Sequence, residues 1–163
     1  MRPASDCASA WWLRKGADVP ASDAVGSGTP RAFRIMTWLL ALYAGASFLH
    51  FTHNAEYLAQ YPNLPSSWTR AEVYLAWCCV TAVGLSGYAL YRGPLPRVGL
   101  TLLVIYAGLG FDGLLHYTRA PIARHSAAMN FTIWVEVVAA AVFLISVASV
   151  ATRDARLHGR MAS

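Results

Sequence analysis

His50, His53, Asn54 and Tyr57 stand at i, i+3, i+4 and i+7. On a continuous helix that spacing puts all four on one face. Asp112 and His116 repeat the pattern at i and i+4, with His125 nine residues further on and Asn130 and Glu136 beyond it. Imidazole and carboxylate groups gathered in this way are the donor set of copper, iron or zinc. Helical bundles build such sites from side chains on facing helices. The candidate metal ligands are therefore His50, His53, Asp112, His116, His125 and Glu136. Glu136 and Asp112 are also the candidate catalytic groups, as proton acceptors beside a bound ion. Either carboxylate could instead orient a ligating histidine from behind.

These residues interrupt stretches that are otherwise apolar. Hydrophobic residues make up 56% of the 163-residue chain and charged residues 13%, where a soluble domain carries about 25% charged. The runs Ile35–Phe51, Val73–Tyr91, Val98–Leu115 and Phe131–Val150 are each long enough to span a bilayer as a helix. The expected fold is all-α, a four-helix transmembrane bundle, with spans at about 35–58, 68–91, 97–118 and 127–150. Gly93-Pro94-Leu95-Pro96 makes a tight turn between the second and third spans. Thr69-Arg70-Ala71-Glu72 reads as a capping box that opens the second, so Glu72 has a structural role. Residues 1–33, poor in large apolar side chains apart from Trp11, Trp12 and Leu13, are expected to be a disordered cytoplasmic arm. Residues 153–163 are expected to be a cytoplasmic tail. No apolar stretch of signal-peptide length follows the first charges. The net charge of +5 is scattered between apolar runs and forms no basic face, which argues against a nucleic-acid partner.

Ten of the thirteen Lys and Arg residues fall in the N-terminal arm, the second connection and the C-terminal tail; only Arg70, Arg119 and Arg124 fall in the other two connections. The positive-inside rule then puts both termini in the cytoplasm. Twelve Arg to one Lys suggests a GC-rich bacterial genome, hence the inner membrane, with the first and third connections in the periplasm. His50, His53, His116 and His125 then gather at the periplasmic end, with Asp112 roughly 9 Å and Glu136 roughly 14 Å inside it. Polar residues within a membrane are costly and so are functional candidates. His125 and Glu136 are roughly 16 Å apart along one helix, and share an ion only if His125 sits on a loop that folds inward. Cys78 and Cys79 are read as packing residues, and three cysteines in all give no disulfide framework.

The stretches His50–Tyr57 and Ala128–Glu136 resemble those of small four-span bacterial membrane proteins, a likeness that covers most of residues 36–150. Asp112-x-x-x-His116 followed by His125 is similar to the Asp/His/His copper site in one membrane subunit of the copper membrane monooxygenases. That likeness implies copper among the candidate metals.

Three other functions fit the same residues. His50 and His116 could be axial ligands of a b-type haem in an electron carrier. Asp112 and Glu136 could relay protons. The cluster could instead fasten an accessory subunit to a membrane complex, or join copies in a homo-oligomer. Catalysis itself is left open by the residues alone.

Overall fold

A computed structural model describes residues 30–161, with side chains for 31–153, 155 and 156. The expected disordered arm, including Trp11 and Trp12, lies outside the described residues, as does the side chain of His158. The described chain forms α1 (Pro30–Glu56), α2 (Arg70–Arg92), α3 (Pro96–Leu109), α4 (His116–Arg119) and α5 (Ala127–Met161). Single 3₁₀ turns occupy Leu58–Gln60, Asp112–Leu115 and Ile122–Arg124. Four stretches are long and apolar enough to cross a membrane: Arg31–Glu56, Arg70–Arg92, Pro96–Arg119 and Ala127–Arg153. This is a multi-pass, all-α membrane protein.

The helices form an up-down-up-down ring in which α1 packs on α2 and α5, and α3 packs on α2 and α5. Their outward faces are apolar, with Trp38, Leu75, Phe131 and Ile145 all largely exposed. In lipid such faces need no cover, so helices associate through close packing instead. The tightest approach is between α2 and α3. A Cβ added to Gly99 would stand 2.1 Å from the Tyr91 backbone nitrogen, so the two backbones touch there and only glycine fits.

Local signals account for the ends of the elements. The Thr69 hydroxyl accepts from the Glu72 N–H at 3.3 Å, while the Glu72 carboxylate accepts from the Thr69 N–H at 2.7 Å. This is the expected capping box. Pro96 opens α3, where its missing N–H costs nothing. The Ser126 hydroxyl accepts from the Met129 N–H at the start of α5.

Three expectations change. α1 stops at Glu56, so the first span is slightly shorter than expected. The Tyr57 N–H still donates to the His53 carbonyl at 3.0 Å and the two rings lie 4.7 Å apart by centroids, which keeps a half-exposed Tyr57 beside His53. The third span is not one helix: α3 ends at Leu109, a 3₁₀ turn follows, and α4 carries the last residues. Helix-weakening glycines at 108, 110 and 113 cluster at the break. Gly110 is also where the Tyr43 ring and Ala140 press closest, leaving no room for a side chain. α5 in turn runs on to Met161, so the expected tail continues the last helix.

The interior is divided. Towards one end, Met36, Leu40, Tyr43, Leu103, Tyr106 and Phe143 form a hydrophobic core with their neighbours, whose polar atoms include the Tyr43 and Tyr106 hydroxyls. Towards the other, the interior holds Ser47, His50, His125, Thr132 and Glu136. The buried ionisable side chains other than tyrosine, among the described residues, belong to this second group.

Candidate functional site

α1 contributes Tyr43, Ser47, His50 and Asn54, spaced four, three and four residues apart and therefore one stripe. α5 answers with Met129, Thr132, Ile133, Glu136 and Ala140. The two stripes meet at His50 and Glu136, each only 1% exposed. His50 Nε2 lies 3.7 Å from Glu136 Oε2. Ser47 is the other close polar neighbour of the Glu136 carboxyl.

The hydrogen bonds fix how His50 is turned. The Thr132 hydroxyl donates to the Met129 carbonyl at 3.1 Å. Its oxygen is thus left to accept from His50 Nδ1, 3.4 Å away. With the proton on Nδ1, Nε2 carries a lone pair. The Asn54 amide nitrogen donates to that lone pair at 3.0 Å and to His116 Nε2 at 3.4 Å. The imidazoles of α1 and α4 therefore point their Nε2 atoms at one place, with ring centroids 5.6 Å apart.

His125 joins from the loop after α4. It is 6% exposed and its ring centroid is 6.2 Å from that of His116. It closes the 3₁₀ turn Ile122–Arg124 ahead of α5, with its side chain buried. Pro121 breaks the helix, and His125 Nδ1 donates to the Pro121 carbonyl at 3.2 Å. Its Nε2 is buried without a hydrogen-bond partner. A histidine that donates one nitrogen to a backbone carbonyl and keeps the other free has the form of a metal ligand.

His53 stands apart. Its Nδ1 is 2.8 Å from the Tyr61 hydroxyl. The Tyr61 ring lies between His53 and His116, 4.8 Å from the latter by centroids. Tyr61 is buried at 4% exposure in the loop after α1. Burial pushes its phenol well above the usual tyrosine range. Asp112 is in the 3₁₀ turn, with one buried carboxylate oxygen unpartnered. It shares with His50, Asn54, His116 and Arg119 the wall of a cavity of about 230 Å³.

Gly113 makes the meeting possible. A Cβ there would stand 3.5 Å from His50 Nε2 and 3.7 Å from Glu136 Oε2. A longer side chain would grow into the contact.

Among the described residues, no three His, Cys, Asp or Glu side chains already stand at the separations of a shared metal ion. The reason is local: the Asn54 amide fills the point on which the two Nε2 atoms converge. Sequence spacing placed Asn54 on the His50 face but gave it no function; Thr132, Ser47, Tyr61 and Gly113 carried no such signal. Comparison of the chain with protein-family models, curated proteins and solved structures returned no match.

Proposed function

We propose that this membrane protein binds one transition-metal ion through His50 Nε2, His116 Nε2 and Glu136 Oε2. The observation that carries this reading is the convergence of two buried imidazole lone pairs on one point, with a carboxylate oxygen 3.7 Å from one of them. Both lone pairs are met by the Asn54 amide, while Glu136 Oε2 is buried without a hydrogen-bond partner; a cation in place of that amide would satisfy all three donors. Three donors of this kind suit copper, iron or zinc, and among divalent ions copper binds most tightly.

Metal–nitrogen bonds of about 2.0–2.1 Å require His50 to close in by about 1 Å and His116 by about 1.3–1.4 Å from their distances of 3.0 Å and 3.4 Å to the Asn54 nitrogen. Asn54 must swing aside for that. His125 Nε2, next to His116, is the candidate fourth ligand. Asp112, on the cavity wall, is the proton acceptor nearest to a molecule bound there. His53 is reserved to Tyr61 and forms an outer support. A b-type haem between His50 and His116 is the weaker reading, because Asn54 bridges the gap that a porphyrin would need.

Both termini lie on the same side of the membrane, since four spans return the chain to its starting side. The surplus of Arg at that side makes it the cytoplasm. The metal end then faces the periplasm of a bacterial inner membrane.

The test is metal analysis of the full chain purified in mild detergent, after separate exposure to copper, iron and zinc. The expected result is about one equivalent, lost in His50→Ala and in His116→Ala while circular dichroism stays helical. No uptake, or uptake unchanged in both variants, overturns the proposal.

A further inference from the structure

The 230 Å³ cavity has a chemical asymmetry that a metal site does not explain. One wall holds His50, Asn54, Asp112, His116 and Arg119. The facing wall is hydrocarbon and aromatic: Phe51 of α1, Val73, Ala76 and Val80 of α2, and Leu64 and Trp68 of the intervening loop. Its rim reaches the outer surface of the bundle, where Leu115 is 60% and Trp68 46% exposed. Rim residues of this kind face hydrocarbon or the headgroup boundary, so the cavity is filled from the bilayer rather than from water.

Size and lining select the occupant. An apolar cavity of about 150 Å³ accommodates one benzene ring, so 230 Å³ admits one ring with small substituents. The polar wall supplies a donor from Arg119 and acceptors from Asp112 and from the unpartnered Asn54 amide oxygen. A ring oxygen that both donates and accepts matches it. A full charge would enter at a large desolvation cost.

We propose that this cavity binds the ring of a lipid-soluble phenol or quinol, with its hydroxyl against Asp112, Asn54 and His116 and its ring against Phe51 and Trp68. Any alkyl tail leaves past Leu115 into the bilayer. The site adjoins the proposed metal position and goes beyond that reading, because its walls exist without the ion.

The experiment is equilibrium binding of 4-propylphenol to the full chain in detergent, with propylbenzene as the probe lacking the hydroxyl. Both metal-loaded and chelator-treated protein are measured. The expected result is saturable 4-propylphenol binding in both forms, and propylbenzene bound about tenfold more weakly for want of its buried hydrogen bonds. Ala76→Phe and Leu64→Trp, which fill the cavity from two different elements without touching the metal donors, should each abolish binding and leave metal content unchanged. No saturable binding in either form overturns the proposal and leaves the metal reading standing. Undiminished binding in both filled variants, or equal binding of the two probes, also overturns it.

Discussion

The lone pair of His50 Nε2 faces Glu136 Oε2 across 3.7 Å, and both side chains are sealed from solvent. Thr132 is what turns the imidazole this way, because its own proton is committed to the Met129 carbonyl. Asn54 meets the His50 lone pair, while Glu136 Oε2 has no hydrogen-bond partner. A cation in the space between them would pair with both.

Replacing Gly113 tests that space directly. Gly113→Leu drives a side chain into the His50–Glu136 contact. We expect metal binding to be lost with the four-span fold kept, as read by metal analysis beside circular dichroism. Gly113→Ala meets only ordinary van der Waals distances at 3.5 Å and 3.7 Å, and should bind metal with reduced affinity.

Thr132→Val removes the acceptor that holds the proton on His50 Nδ1 while keeping the shape. Outer partners of metal ligands are typically worth about 10–100-fold in affinity. Metal affinity in Thr132→Val should fall by that order, and Thr132→Ser should restore most of it. Equal affinities in all three proteins would remove Thr132 from the account.

Metal uptake should weaken as pH falls, because imidazoles bind metal only when unprotonated and uptake releases protons. Titration of metal affinity from alkaline to clearly acidic pH reads this. The His50→Ala variant should retain no pH-dependent binding.

Tyr61 predicts an effect on the alkaline side. Burial raises its phenol in the folded chain above its unfolded value. The associated stability is present below the unfolded tyrosine pKa of about 10 and is lost as pH rises beyond it. Thermal unfolding should drop at alkaline pH in the wild type and drop less in Tyr61→Phe. At neutral pH that variant loses the bond to His53 and about 1 kcal/mol of stability.

Gly99→Val should be severely destabilising. Its side chain would require backbone atoms of α2 to retreat from 2.1 Å. Overpacking of this kind costs about 1–3 kcal/mol or more. A thermal midpoint in detergent equal to that of the wild type would contradict the backbone contact between α2 and α3.

What the sequence made legible followed from rules that act locally or on whole segments. Lipid admits few backbone solutions, so apolar length alone located the four spans. The capping box at Thr69 and Glu72 was readable because both partners are three residues apart. The break at Gly110 was not, since glycines in membrane spans serve as packing sites as often as interruptions. Only the approach of Tyr43 and Ala140, from two other helices, explains why the chain yields there. His50 and Glu136 were visible as costly residues in apolar runs, but depth along the helices put Glu136 well inside the histidine end and did not pair the two. The roles of Asn54, Thr132 and Tyr61 were hidden, because each depends on a proton direction or a loop fold set by residues far away in the chain. His53 looked equivalent to His50 by spacing; the Tyr61 ring, set between His53 and His116, keeps His53 apart from the cluster.

X-ray absorption on the metal-loaded protein tests the central claim most directly. The expected first shell holds nitrogen and oxygen scatterers with at least two imidazoles, at about 2.0–2.1 Å for zinc, and no such shell forms in His116→Ala, which retains no metal. A shell dominated by sulfur near about 2.3 Å, or a shell unchanged in His116→Ala, would contradict it.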